Sequence, residues 1–204
     1  MIVVVDYGMG NLRNVRRAFE YLSQEVHLTS DPVELSSASR IVLPGVGAFG
    51  EAVHRIDDLG LRESLLHHVS AGKPMLGICL GMQLLFPKSE EDPDAAGLGV
   101  LEGSVKKFGP GVKKFGPGVK IPHIGWNDVQ PVEPSSFFYA QEDRSVFYFV
   151  HSYYVGDTPW RIGTTEHGVE FTSAVQKENV VGFQFHPEKS QEEGLKLLGR
   201  FAEM

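Results

Sequence analysis

The sequence predicts an α/β fold: a mostly parallel central sheet flanked by helices, with a nucleophile elbow, plus additional antiparallel strands in the second half. Three observations predict it. Up to residue 86, β-branched runs alternate with segments of helical periodicity, the pattern of strands joined by helical crossovers. The one cysteine of the 204-residue chain stands in Gly77-Ile78-Cys79-Leu80-Gly81, between an apolar run and a helical segment. Beyond residue 119, short β-rich runs separated by turn residues take over.

The β-branched run Ile2-Val3-Val4-Val5 stops at Asp6-Tyr7-Gly8-Met9-Gly10 and reads as a buried strand entering a glycine-rich turn. Leu12, Val15, Phe19 and Leu22 then recur at helical spacing, with Asn11 available as a cap. Residues 26–28 and 40–43 read as the next strands, and the latter runs straight into Pro44-Gly45-Val46-Gly47. Phe49, Val53 and Ile56 mark a helix, residues 61–70 another, closed by Ala71-Gly72-Lys73-Pro74. Residues 75–78 form a fourth strand and 80–86 begin the helix after Cys79. Strands are expected at 119–124, 145–150, 171–176 and 180–185, and an amphipathic last helix at 191–201 with Leu195, Leu198 and Phe201 on one face. The whole of 1–204 reads as a single domain.

Val105-Lys106-Lys107-Phe108-Gly109-Pro110-Gly111 repeats at once as Val112-Lys113-Lys114-Phe115-Gly116-Pro117-Gly118. Four lysines and two Gly-Pro-Gly turns, in a unit far shorter than any solenoid repeat, read as a solvated hairpin or loop carrying a tolerated duplication. Its lysines meeting an acidic partner is the alternative.

Composition excludes several classes. A net charge of -7 argues against binding a phosphate backbone. No apolar stretch approaches the roughly 18 residues of a membrane span, and the N-terminus lacks the flanks of a signal peptide. One cysteine forms no internal disulfide. A cytoplasmic protein is expected. Asp6 to Gly10 lacks both Gly-x-Gly-x-x-Gly and a P-loop lysine. His123, His151 and Cys79 lack ligand spacing, so neither cofactor nor metal is expected. His67 and His68, adjacent on a helix, face different directions and read as a solvated face.

A lone cysteine is ordinarily a small buried hydrophobe. Two flanking glycines in a strand-turn-helix context set beside that role, on an equal footing, a nucleophile on a tight turn, with sulfur in place of the serine oxygen of Gly-x-Ser-x-Gly. A helix starting near Leu80 and a nearby histidine would favour the thiolate. The oxyanion formed on attacking a carbonyl needs donors, for which the N–H of Leu80 and those of Val46 or Gly47 are candidates. The glycines of that loop permit an amide to turn in or out of the site. Far downstream, Phe185-His186-Pro187-Glu188 supplies a base and an acid. Pro187 pushes His186 towards extended backbone, where residues two apart share a face, so Glu188 can fix its tautomer. Such a triad would gather at the carboxyl ends of the strands.

Taken together, these segments resemble the triad-type glutamine amidotransferases, and within them the glutaminase subunits of imidazole glycerol phosphate synthases. The carrying segments are Asp6-Tyr7-Gly8-Met9-Gly10-Asn11, Pro44-Gly45-Val46-Gly47-Ala48-Phe49 and Gly77 to Phe86. His123-Ile124-Gly125-Trp126-Asn127, Phe149-Val150-His151-Ser152-Tyr153-Tyr154 and Phe183 to Gln191 continue the series. The resemblance implies that Cys79 attacks the side-chain amide of glutamine, with His186 as base and Glu188 in support. Ammonia would pass to a (βα)8-barrel cyclase partner in a heterodimer of histidine biosynthesis. It further implies that Gln83 and Glu91 recognise glutamine and that Asn11 and Lys189 lie near the partner interface. Helix-surface polarity, an acidic run, a helix cap and a solvated charge are the plainer roles of these four. Two departures stand out: the duplicated segment, and Pro87-Lys88, which should shorten the nucleophile helix. Other readings are an amidotransferase subunit of another pathway, such as pyridoxal phosphate synthesis, a non-catalytic regulatory subunit, and a stand-alone cysteine hydrolase.

Overall fold

A computed structural model describes residues 1–109, 119–132, 137 and 145–204. The first half alternates as the periodicity requires. β1 (Ile2–Val5), β2 (Val26–Thr29), β3 (Arg40–Gly45) and β4 (Met75–Cys79) are strands; β1, β3 and β4 are buried along nearly their whole length. Between them lie α1 (Leu12–Tyr21), α2 (Pro32–Ser37), α3 (Phe49–Asp58) and α4 (Leu61–Ser70), and α5 (Leu80–Leu84) follows β4. Asn11 caps α1, its side chain accepting from the N–H of Asn14. Val15 and Phe19 of α1 and Phe49, Val53 and Ile56 of α3 turn to the core, as their spacing required.

The described residues of the second half hold β5 (Val105–Lys107), β6 (His123–Pro131), β7 (Ser145–His151), β8 (Tyr153–Val155), β9 (Arg161–Glu166), β10 (Glu170–Lys177) and β11 (Val180–Phe183). A 3-10 turn at Pro187–Lys189 leads into α6 (Gln191–Glu203). The sheet runs in the order β2-β1-β3-β4-β11-β10-β9-β6-β7, with β5 and β8 off this path. β2, β1, β3, β4 and β11 are mutually parallel, and β10, β9, β6 and β7 continue antiparallel. The expected α/β architecture with a parallel centre and antiparallel extension is what the chain adopts.

Several element boundaries differ from expectation. The strand expected at 119–124 begins only at His123, because Pro122 has no N–H to give a ladder. The strand at 180–185 ends at Phe183, where its parallel neighbour β4 turns away into α5. The helix after Cys79 stops at Leu84 rather than Phe86, consistent with Pro87 just beyond. Helix α6 runs two residues past Phe201 and packs mainly through Leu197, Leu198 and Phe201, with Leu195 only partly buried. Strands β5, β8 and β9 and helix α2 were not expected. The first lysine-rich copy is not simply a solvated loop. Val105 and Phe108 are buried while Lys106 and Lys107 face outward, and β5 pairs antiparallel with β8. Residues 110–118, with the whole second copy, lie outside the described residues. His68 is not solvated either: it is buried, with its Nε2 3.0 Å from the carbonyl of Pro74. No helix among the described residues is long and apolar enough to cross a membrane.

Both glycines around Cys79 are required by packing. A Cβ on Gly77 would lie 2.7 Å from the carbonyl oxygen of Gly81, and one on Gly81 would collide with that of Leu43. Gly81→Ala should therefore destabilise the fold by about 3 kcal/mol or more, since backbone cannot yield as a side chain can. Gly199→Ala, in α6 with nothing within 4 Å of the added carbon, should stabilise by about 0.5–1 kcal/mol. Chemical denaturation of both variants checks the pair.

Candidate active site

Cys79 ends β4 with φ 54 and ψ -109, a left-handed conformation that a non-glycine residue adopts at a cost of about 1–3 kcal/mol. Its position follows from register. On one side Gly45 of β3 is directly opposite Cys79, so Val46 and Gly47 emerge beside it. On the other, Phe183 of β11 is opposite Ile78, so Gln184 leaves the ladder next to the cysteine and His186 comes two residues later. The three segments singled out in the sequence are thus brought together by two parallel ladders.

His186 is held from several directions. Its N–H donates to the carbonyl of Tyr148 (2.9 Å), and its own carbonyl accepts from Ser190 Oγ (2.6 Å) and the Lys189 N–H (3.0 Å). The Ser190 hydroxyl in turn accepts from the N–H of Tyr148 at 3.0 Å. The imidazole Nδ1 and Glu188 Oε1 are 2.8 Å apart, with both side chains no more than 2% exposed. The juxtaposition was expected from extended backbone, but only His186 is extended; Glu188 reaches it from within the 3-10 turn that Pro187 opens. Nδ1 therefore donates to the carboxylate, and Nε2, buried with no hydrogen-bond partner of its own, is left for the cysteine side. Burial alone would lower the His186 pKa. The charge of the Cys79 thiolate and then the Glu188 carboxylate outweigh it and raise it to about 10.

A cavity of about 320 Å³ opens above the cysteine, lined among others by Val46, Gly47, Leu80, Gln83 and Glu91. Gly47 has φ +111, and Val46 is 40% exposed at the rim. Glu91 Oε2 accepts the N–H of Phe49 at 2.9 Å, so it both caps α3 and faces the cavity. Gln83 is buried; its Nε2 donates to the carbonyl of Tyr153 and to Gln184 Oε1, both at 3.0 Å. With both amide protons engaged inside the protein, Oε1 is what Gln83 has left for a ligand, and it acts as an acceptor. Asn11 and Lys189 do not line the cavity. Asn11 serves as the α1 cap, and the Lys189 ammonium sits over the Tyr148 ring, 5.6 Å from its centre.

The far wall comprises Pro122, Val150, His151, Ser152 and Tyr153, to none of which the sequence assigned a role. Behind it His123 Nδ1 lies 2.9 Å from His151 Nε2, and His151 Nδ1 lies 2.7 Å from the carbonyl of Tyr153. Burial keeps both imidazoles neutral, lowered to about 3, with His167 adding to the effect on His123 and His123 to that on His151. Tyr7, buried and donating to the carbonyl of Pro44 at 2.8 Å, underpins the Val46 loop. Burial and the cysteine's charge raise its phenol pKa. His123-to-Asn127 and Phe149-to-Tyr154 were visible only as segments of a resemblance, since facing residues of a hairpin cannot be recognised from spacing.

The family model of class-I glutamine amidotransferases matches residues 3–203. The chain is 43% identical over 206 residues to the imidazole glycerol phosphate synthase subunit HisH of Syntrophotalea carbinolica, covering all of both chains. It is 45% identical over 205 residues to the protein of that name from Methanothermobacter thermautotrophicus, covering all of this chain and 98% of the relative. A crystal structure of a glutamine amidotransferase superposes with a TM-score of 0.76 at 19% identity, covering 100% of this chain and 98% of that one, which speaks to the fold alone.

Because His186 is raised mainly by the sulfur's charge and secondarily by Glu188, Cys79→Ala and Glu188→Gln should each move its titration downward from about 10. The raised value also stabilises the fold. That contribution is complete below 6.5, where the unfolded histidine is protonated too, and is lost as pH rises towards about 10. Following the ring protons of His186 by NMR between pH 5 and 11 (roughly the span over which the histidine titrates) checks the shift. Unchanged titration in Glu188→Gln would refute the electrostatic account.

Proposed function

Since this chain belongs to the class-I glutamine amidotransferase family, we propose that Cys79 is its nucleophile, His186 its acid-base and Glu188 the orienting carboxylate. It is a glutamine amidotransferase, and its relatives are named as a subunit of imidazole glycerol phosphate synthase, which implies a partner subunit. The observation that carries the catalytic reading is the strained Cys79 at the end of β4. The buried His186–Glu188 pair emerges from the adjacent parallel strand with Nε2 unpartnered.

The thiolate attacks the side-chain amide carbon of glutamine. The oxyanion is held by the N–H of Leu80 together with that of Val46 or Gly47. Imidazolium Nε2–H gives its proton to the departing nitrogen, so ammonia leaves and a γ-glutamyl thioester remains. The now neutral imidazole takes a proton from water, whose oxygen displaces the sulfur to give glutamate and restore the thiolate–imidazolium pair. Glu188 keeps Nδ1 protonated throughout, which keeps Nε2 in line with the reaction. Gln83, through its acceptor oxygen, and Glu91 at the cavity wall are suited to the donors of the glutamine α-ammonium group.

Ammonia passes to a (βα)8-barrel cyclase subunit, and the heterodimer makes imidazole glycerol phosphate and aminoimidazole carboxamide ribonucleotide. Asn11 and Lys189 belong to the docking face, outside the cavity and on neighbouring elements. The extent of the family match, from residue 3 to 203, supports one amidotransferase domain, and a cytoplasmic location suits this chemistry.

Cys79→Ala should lower glutamine hydrolysis by at least about a thousandfold while sparing ammonia-dependent synthesis by the reconstituted partner. Retained hydrolysis would overturn the assignment. Mass-spectrometric labelling of Cys79 by a glutamine-analogue electrophile, with and without the cyclase, should show faster labelling in the complex. Absence of labelling in both would favour a docking-only subunit.

A further inference from the structure

We infer that Gln184 is a positioning residue for Cys79: its side-chain amide donates to the sulfur, in an orientation dictated by Gln83 and Tyr153. This deepens the reading of Cys79 as nucleophile and rests on it.

Gln184 is fully buried, next to Cys79 as β11 leaves its ladder with β4, and its amide ends 3.8 Å from the cysteine Sγ. An amide can present either its oxygen or its nitrogen, and its partners decide which. The carbonyl of Tyr153 only accepts, so the Gln83 atom 3.0 Å from it is the nitrogen. That same nitrogen lies 3.0 Å from Gln184, whose facing atom must then be oxygen. The remaining end of Gln184, the NH2 group, is thereby turned to the sulfur.

The Tyr153 carbonyl is itself held from further back. Tyr153 O also accepts from His151 Nδ1–H (2.7 Å), which makes His151 Nε2 the acceptor for His123 Nδ1–H (2.9 Å). His123 Nε2 accepts from Asn127 Nδ2 at 3.1 Å. From Asn127 to the Tyr153 carbonyl each donor points towards that carbonyl, and Gln83 donates to it from the other side; both imidazoles are neutral, so protonation does not reverse the run at ordinary pH. On its other side the sulfur lies 3.9 Å from the carbonyl of Val150, an acceptor that suits the thiol and opposes the thiolate. Gln184 supplies the donor that offsets it. The titratable groups around the sulfur are His186 with Glu188 behind it, Tyr7, His151 and, across the cavity, Glu91.

Cys79 is the chain's one cysteine, so alkylation of the full chain by iodoacetamide, read by mass spectrometry against pH, reports this sulfur alone. Gln184→Met removes the donor without adding charge and should move the midpoint of the rate profile up by about half to one pH unit. Gln83→Leu, which frees the Gln184 amide to turn, should shift it in the same direction. An unshifted midpoint in either folded variant overturns the proposal, including the case of a lowered melting temperature alone, which is what a purely structural residue would give. Should Gln184→Met not fold, the side-chain amide protons of Gln184 in the unaltered protein should move with pH at the alkylation midpoint, and a flat response overturns it. A chain that shows these shifts yet hydrolyses no glutamine even in the complex with the cyclase would refute the catalytic reading and leave the Gln184 contact standing.

Discussion

The site depends on the parallel register of β4 with its two neighbours. Gly45 opposite Cys79 brings the Val46–Gly47 loop to one side of the sulfur, and Phe183 opposite Ile78 brings Gln184 and His186 to the other. A one-residue slip of β11 would exchange the faces of Gln184 and Phe185 and move the histidine out of line. Residues far apart in sequence are thus fixed relative to one another by backbone hydrogen bonds rather than by side-chain packing alone. Gly77 and Gly81 belong to the same constraint: the chain can turn tightly enough to point Cys79 outward only where no Cβ stands between β4, α5 and the end of β3.

Register alone would leave a buried carboxylate and imidazole, an arrangement whose desolvation opposes folding. It is retained with His186 and Glu188 almost wholly buried and one oxygen of Glu188 without a partner. What offsets the cost for His186 is the cysteine, whose charge is the largest influence raising the His186 pKa, with Glu188 adding to it. The surrounding histidines behave oppositely. His123 and His151, equally buried but facing carbonyl, amide and imidazole groups, stay neutral and serve as directional hydrogen-bond links. The same side chain is a charge carrier on one side of the cavity and a fixed dipole on the other, decided by whether a negative group faces it.

The parallel half of the fold was legible because its signals are local. Apolar runs ending at glycine turns mark β1, β3 and β4, and the tight turn at Cys79 carries its own steric signature in Gly77 and Gly81. Helix α2 was legible in principle, since Asp31-Pro32 with Glu34 is a helix start, and Asp31 does accept from the N–H of Val33. Strands β5, β8 and β9 were not: Val105–Lys107 sits inside a lysine-rich repeat, and Tyr153–Val155 is three residues long. Their identity comes from pairing with one another and with β10. The Cys79–His186–Glu188 grouping could be read, although Glu188 arrives by a 3-10 turn rather than an extended strand. Gln184, His151 and Ser190 were out of reach, because each matters through partners distant in sequence.

On the proposed reading, the fold also says where activation by a partner must act. Cys79 and Gln184 are set by ladders of the central sheet, and His186 is pinned through Tyr148 and Ser190. Displacing any of them would require breaking the sheet or the buried Glu188 pair. Val46 and Gly47 come after the last paired residue of β3, at the cavity rim, with Val46 exposed and Gly47 in a conformation open chiefly to glycine. Turning the peptide between them requires rotating two backbone dihedrals, against a loop anchored below by Tyr7 and ahead by the Glu91 cap on α3. On that reading a partner seated on the rim can turn this peptide without disturbing Cys79 or the His186–Glu188 pair, which couples ammonia release to partner binding through a single peptide.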